Sequence, residues 1–415
     1  MRFKKILYFD YWTVGIHNFK LFDHHLKEQG FDTKLFHIGS WRSSVLPFEI
    51  VQGIPCYDIK HYKTTLIYNI LKIENPLAVV ILNSTHITDR TIILSCKNLG
   101  IHVIYLAHGS LIREEYIDKS IDAFNKSFKG IRLKKAFGHF GTIINFLYST
   151  FKYDKRKFIT PHPYRVLLNT FINPGGYMFF PPPSYDLMPD LTLVYGKDDR
   201  EFFKKRQDVS KIKIIGNPEL DNYFLQLDSI SQERDEFLDS LNLPKGKKYI
   251  VYIEEGTVEE KLWSNETRLN FINQIKLVCE EVDLHLVVKL HPRAAKGPNF
   301  NSIKSIEGIT VLADVNFPKL INFSEKCVSH YSTTLIYAML LGKPILVPRW
   351  GNSKQLYKAN SANEVTFVYS LSEFKEYLLN RNCHYDRQAY LDNYVPFRDG
   401  KTSIRIAQYI LNLIN

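Results

Sequence analysis

The chain has 415 residues, of which 45% are hydrophobic and 14% aromatic, and it carries a formal net charge of +11. That length exceeds one ordinary core and implies two domains, while the apolar content and the lack of low-complexity stretches exclude general disorder. Five scattered cysteines, none in a CxxC pair, exclude a disulfide framework and a cysteine metal centre and fit thiols in a reducing compartment.

In chain order, apolar runs of strand length fall at residues 6–9, 33–36, 77–82 and 103–106. Helix-like stretches at 19–29, 64–73 and 89–99 separate them, two closed by Gly30 and Gly100. Strands alternating with helices of that length indicate βαβ units and a parallel sheet. A second alternating series starts near Leu191, with strands at 191–195, 213–215, 249–253, 284–290, 310–312, 327–329 and 345–347. Its helices are expected at 231–241, 265–281, 317–323 and 334–341, and residues 402–413 read as a final amphipathic helix. The expected fold class is α/β, two Rossmann-like domains facing across a cleft. Residues 1–190 form the acceptor-side domain and 191–385 the nucleotide-donor domain. Residues 386–415 form a helical segment expected to pack back on the first domain.

Residues 120–189 stand apart within the first domain. Between Ala123 and Tyr185 there are ten Lys/Arg against one acid, whereas the rest of the chain has 44 basic residues to 42 acidic. The excess therefore belongs to one segment, which needs a local partner. Aromatic residues interleave with the cations: Phe137 and Phe140 follow Lys134 and Lys135, and Lys155, Arg156 and Lys157 follow Phe151. Two readings stand side by side: a helix lying in an anionic membrane interface, or a basic helix pair packed on the first domain. Nucleic acid is not expected as a partner, because no recognised binding motif is present. No run of 18 apolar residues exists, and the start, Met1-Arg2-Phe3-Lys4-Lys5, does not read as a signal peptide. The expected location is cytoplasmic, peripheral at the inner face of the membrane.

Three motifs follow strands, where open α/β sheets bind ligands. Ser332-Thr333-Thr334 opens a helix; such a start caps backbone donors and, with the helix dipole, suits a phosphate. The plainer reading is an ordinary cap. His291-Pro292 fixes a histidine just after a strand, where it could neutralise or protonate a leaving phosphate, with Lys289 and Arg293 beside it. Glu254-Glu255-Gly256 ends a strand with two carboxylates, one of which could serve as general base; Thr257 and Glu260 alternatively make a capping box there. In the first half, His108-Gly109-Ser110 also follows a strand, so His108 competes with Glu255 as the acceptor-side base. No histidines sit at metal-ligand spacing, and neither a metal nor a cofactor is expected.

Together with Gly216-Asn217-Pro218-Glu219-Leu220-Asp221, these motifs resemble the GT-B class of nucleotide-sugar enzymes. The hexapeptide is similar to an interdomain element of that superfamily, including epimerases that act on UDP-N-acetylglucosamine. The set Glu254-Glu255-Gly256, His291-Pro292 and Ser332-Thr333 is similar to the motifs of bacterial sialyltransferases and polysialyltransferases. That resemblance implies Glu255 or Glu254 as base, His291 as acid or phosphate partner, and Ser332 and Thr333 as phosphate ligands, with Thr334, Pro292 and Gly256 completing the nucleotide site. His108-Gly109 with His291-Pro292 equally resembles the CDP-glycerol glycerophosphotransferases of teichoic acid synthesis, which implies His108 as base.

The expected activity is an inverting, metal-independent glycosyl transfer from a nucleotide sugar, a CMP-activated 2-keto sugar first. The expected acceptor is a capsule or lipopolysaccharide glycan, free or lipid-linked. A CDP-glycerol-type polyol-phosphate transferase, or a UDP-sugar transferase or epimerase, is the alternative.

Overall fold

β-Branched and aromatic runs form the strands of two largely parallel sheets in the computed structural model. It describes residues 4–41, 43–108, 121–122, 125, 140–173, 187–230, 232–244, 246–259, 261–330, 332, 334–355, 365–380 and 387–414. The first sheet contains β1 (Lys5–Asp10), β2 (Asp32–His37), β3 (Phe48–Val51), β4 (Ile54–Asp58), β5 (Ala78–Ile81), β6 (His102–Leu106), β7 (Leu191–Val194) and β8 (Ile212–Ile214). Their spatial order is β3-β4-β2-β1-β5-β6-β7-β8, parallel throughout except for the β3–β4 hairpin. β5 and β7 are buried along their whole length, as strands covered on both faces must be.

The β3–β4 hairpin is absent from the sequence expectation. Its two-residue turn, Gln52-Gly53, has positive φ at both positions, the geometry that matches strand twist, but it lacks the Asn-Gly or Asp-Gly signature. On this exposed edge strand, the side chains of Phe48 and Ile50 face solvent.

A domain start at residue 191 is corrected. β7 pairs with β6 in the register Tyr105↔Thr192, and β8 pairs with β7, so both extend the first sheet. The first compact unit comprises Met1–Asn222 and Tyr394–Asn415, and the second Tyr223–Asn393. The helix Thr402–Ile414 packs against α1 (Ile16–Glu28). Asp221 caps its start, accepting from the Thr402 N–H at 2.9 Å and the Ser403 N–H at 2.7 Å. Gly216 holds φ +90°, and a Cβ there would stand 3.1 Å from the Thr402 hydroxyl. The hexapeptide thus fastens the chain's last helix to the first unit.

α2 (Ile67–Glu74) and α3 (Ile87–Leu99) flank β5, and α3 is buried continuously from Ile87 to Cys96. α4 (Phe140–Tyr153) packs on α3. It is pinned there by a Ser95–Ser149 hydroxyl pair and by Asn145, which accepts from the Ile67 N–H at 2.7 Å. α5 (Lys155–Ile159) and α6 (His162–Ile172) leave large apolar side chains in solvent, including Ile159, Leu168 and Ile172. α7 (Lys197–Lys204) joins β7 to β8.

The second sheet has the order β11-β10-β9-β12-β13-β14 and is parallel throughout. The strands are β9 (Tyr249–Ile253), β10 (His285–Lys289), β11 (Ile309–Leu312), β12 (Cys327–Val328), β13 (Ile345–Pro348) and β14 (Thr366–Val368). α8 (Asn265–Glu281) begins at Ser264, whose hydroxyl accepts from the Thr267 N–H, and packs on β10. Tyr252, Trp263, Phe271, Trp350 and Phe374 are part of the core beneath it.

In each sheet the connections run in opposite directions from one pair of neighbouring strands: β1 and β5 in the first, β9 and β12 in the second. Open sheets of this kind bind ligands outside the carboxyl ends of such a pair.

Candidate active site

The carboxyl ends of β9, β10 and β12 bring together the three motifs of the second unit. Glu254 and Glu255 continue β9 directly, and both are buried. The Glu254 carboxylate accepts from the Gly256 N–H at 3.0 Å and the Thr257 N–H at 3.2 Å, and it faces the fully buried Arg268 guanidinium at 3.6 Å. Burial raises its pKa, with the backbone donors and Arg268 pulling the other way. Glu255 reaches across to the segment after β12. There it accepts from the Ser329 hydroxyl, from the His330 N–H at 2.6 Å, and lies 3.2 Å from His330 Nδ1. His330 Nε2 in turn meets the Ser353 hydroxyl at 3.2 Å, and its ring is enclosed by Tyr252, Trp263 and Phe271.

Both carboxylates are therefore occupied inside the unit. Removing one partner from such a buried charged pair costs about 3–5 kcal/mol. Glu255 sets the loop that carries the hydroxyls: Ser329 Oγ, held by Glu255, accepts from the Ser332 N–H at 3.3 Å. Ser332 Oγ lies 2.7 Å from Thr334 Oγ1, and Thr334 is the residue before α10 (Leu335–Leu340). Thr333 lies outside the described residues.

His291 is the residue before α9 (Pro292–Ala295), and its Nδ1 accepts from the Arg293 N–H at 3.1 Å. With Nδ1 accepting, the neutral ring carries its proton on Nε2, which makes that nitrogen the donor to an anion. Gly256 holds φ +72° against this ring, and a Cβ there would approach Nδ1 to 3.3 Å. Only glycine suits both the backbone and the contact. The Lys289 ammonium binds the carbonyls of Leu290 at 2.8 Å and Ala313 at 3.0 Å, joining the ends of β10 and β11. Burial lowers its pKa.

In the first unit, Asp10 ends β1 and its carboxylate accepts from the Tyr11 N–H at 2.8 Å and the Gly15 N–H at 2.9 Å. Gly15 admits this approach, since a Cβ there would lie 2.4 Å from the carboxylate. His108 follows β6, close enough to the ends of β1 and β5 that Asp10 and the Leu82 carbonyl both favour its protonated form. His108 is exposed at the surface; partial desolvation lowers its pKa, Asp10 raises it, and His17 lowers it. Asp89, buried on α3, accepts from the His86 N–H, and burial pushes its pKa up to about 7. Asp10, Asp89 and His330 were not singled out in the sequence, since each stands alone, two of them at strand ends and Asp89 on α3, and forms no motif. Gly109 and Ser110 lie outside the described residues.

Of the basic aromatic residues, Lys134, Lys135 and Phe137 lie outside the described residues, and Phe140 begins α4. Lys155 stands over the Phe151 ring at 5.6 Å and Lys157 over Tyr153 at 5.7 Å, while Asp154 accepts from the Arg156 N–H. Among the described residues no helix is long and apolar enough to cross a membrane.

The structure is similar to the UDP-GlcNAc 2-epimerase from Methanocaldococcus jannaschii in complex with UDP-GlcNAc and UDP, with TM-score 0.52, 14% identity, and coverage of 98% of this chain and 99% of that one. It is also similar to the wall teichoic acid polymerase TagF, with TM-score 0.54, 13% identity and coverage of 99% and 89%. A third likeness is to S. aureus MnaA bound to UDP, with TM-score 0.53, 15% identity and coverage of 99% and 97%. At these identities the likeness establishes the fold, a GT-B arrangement of two Rossmann-like domains. No curated protein matches the sequence. The sequence model of the CDP-Glycerol:Poly(glycerophosphate) glycerophosphotransferase family matches residues 185–412, more than half of the chain. A nucleotide-dependent glycosyl or glycerophosphate transferase of the GT-B fold, the chain belongs to the CDP-Glycerol:Poly(glycerophosphate) glycerophosphotransferase family.

Proposed function

We propose that the chain transfers a polyol phosphate, glycerol phosphate first, from a CDP-linked donor to a hydroxyl of a surface polymer. The observation that carries this reading is the occupation of Glu255 by Ser329 and His330. The CMP-activated 2-keto-sugar donor drew on a resemblance that uses Glu255 or Glu254 as the base, and both carboxylates have internal partners. His108, after β6 at the carboxyl end of the first sheet with the Asp10 charge favouring its protonated form, supports the alternative in which a histidine takes the acceptor proton.

In this reading His108 removes the proton of the attacking hydroxyl as its oxygen bonds to the distal phosphorus of the donor. The bond from that phosphorus to the bridging oxygen breaks, and the electron pair leaves on CMP. His291 Nε2–H donates to the departing phosphate, and Ser332, Thr333 and Thr334 bind it, with Pro292, Arg293 and Gly256 shaping the pocket. Glu255 and Glu254 position the loops, and Lys289 ties two strand ends. The exposed Ile159, Leu168 and Ile172, with Lys155, Arg156 and Lys157 nearby, support a peripheral site on an anionic bilayer that presents a lipid-linked acceptor.

The test is incubation with CDP-glycerol and a glycerol-phosphate-primed acceptor. CMP release matched by phosphodiester formation supports the reading; turnover of a CMP-sugar or UDP-sugar without turnover of CDP-glycerol overturns it. Co-sedimentation with vesicles containing anionic lipid, lost on replacing Ile159 and Leu168 by Ser, tests the membrane surface.

A further inference from the structure

We propose that Ser353 is a positioning residue of the donor site: through His330 and the Glu255 carboxylate, its hydroxyl holds the loop that carries Ser332 and Thr334. This rests on the reading of Ser332 as a phosphate ligand and adds to it the loop after β13, which no motif marks. Ser353 lies in the short helical turn Gly351–Gln355 and is buried. The turn is anchored from beneath by Trp350, whose ring packs on Phe271 and Phe374 and donates to the Gln274 side chain at 3.3 Å. The Trp350 carbonyl accepts from the Ser353 N–H at 3.0 Å. β13 lies beside β12 and β12 beside β9, so the groups concerned stand on three adjacent strand ends, one pair of which is the switch point.

From Ser353 a continuous chain of hydrogen bonds runs to the loop. A carboxylate only accepts, so the His330 Nδ1–H donates to Glu255 at 3.2 Å. In the neutral ring the Nε2 lone pair then faces Ser353 Oγ at 3.2 Å, and the Ser353 hydroxyl is the donor. Glu255 also accepts from the His330 N–H at 2.6 Å and from the Ser329 hydroxyl. Ser329 Oγ in turn accepts from the Ser332 N–H at 3.3 Å, and Ser332 Oγ accepts from the Thr334 N–H at 3.3 Å. Each link has one direction, and no link is longer than 3.3 Å. The His330 ring is fully buried, with the rings of Tyr252, Trp263 and Phe271 centred 6.0, 5.2 and 5.0 Å away. Hydrogen bonds behind such an apolar wall are stronger than in water and polarise one another, so a loss at Ser353 is felt at Ser332.

The test is a double-mutant cycle on nucleotide binding. Calorimetry with CDP is run on the full-length protein, on Ser353→Ala, on Ser332→Ala and on the double variant. Each single change weakens binding about fivefold, as the loss of one hydrogen bond does, and the double variant stays within about twofold of Ser332→Ala. Independent effects multiply to about 25-fold instead, and that result overturns the proposal. Wild-type affinity in Ser353→Ala overturns it too. Ser353→Cys keeps a weak donor in place and falls between the wild type and Ser353→Ala; it takes the place of Ser353→Ala in the cycle should that variant not fold. In the transfer assay Ser353→Ala raises KM for CDP-glycerol and leaves KM for the acceptor unchanged. The chain is also read without nucleotide: the Ser332 amide signal shifts by NMR in Ser353→Ala, and a signal that stays in place contradicts the proposal. Should Ser332→Ala bind CDP as tightly as the wild type, the phosphate-ligand reading fails while the amide signal still reports the chain.

Discussion

The carboxyl ends of the two sheets hold similar side chains but use them differently. After β9 and β12, the carboxylates of Glu254 and Glu255 bind Arg268, Ser329, His330 and backbone N–H groups. That corner is rigid, and what it offers a ligand is hydroxyls and one oriented histidine. After β1 and β6, Asp10 is held by two backbone N–H groups, and the charges of Asp10 and His17 act on His108 in opposite directions. The first pattern suits holding a phosphate, and the second suits moving a proton. An acidic pair after a strand is thus no sign of a base until its partners are known.

Breaking each corner separates the two roles. His108→Ala has the largest expected effect, a loss of about 10³-fold in transfer from CDP-glycerol with nucleotide binding retained, because general-base catalysis contributes roughly 10²–10⁴. His291→Ala lowers kcat by about 10²-fold and also weakens nucleotide binding, which calorimetry with CDP reads directly. Glu255→Ala acts on the fold: losing a buried charged partner lowers the melting temperature by about 10 °C, measured by calorimetry.

Asp89→Asn sharpens the contrast through pH. Because the folded pKa of Asp89 is raised to about 7 from 3.8, the native state binds the proton more tightly than the unfolded chain. Wild-type stability therefore falls as pH rises from about 4 to 7, by about 4 kcal/mol if this group acts alone, and Asp89→Asn removes that part of the slope. Urea unfolding at pH 5 and pH 8 measures it. Lys289→Met gives the smallest change, a melting point lower by a few degrees with CDP affinity within about twofold.

Most strands of both sheets were legible because parallel strands covered by helices read as continuous apolar runs, as at Tyr249–Ile253. Sheet membership was not. The alternation of strand and helix that resumes at Leu191 looks like a new domain, and only the pairing of Thr192 with Tyr105 shows that it continues the old one. The loops after β9, β10 and β12 were found from their motifs, while the occupation of Glu255 depends on Ser329 and His330, more than 70 positions away in the chain. Spacing along a sequence carries no information about such a partner. Asp10 was passed over for the same reason: the groups whose charge it feels, His17 on α1 and His108 after β6, come from separate elements that only the fold assembles.

The most direct test of the account is the melting temperature of the purified protein with CDP, CMP, UDP, UMP and GDP, with His291→Ala alongside. Ligand that binds only the folded state raises the midpoint by mass action. The account predicts that CDP gives the largest rise and that the rise is lost in His291→Ala. A rise with UDP alone, or with CMP and not CDP, contradicts a CDP-linked donor held by the His291 corner.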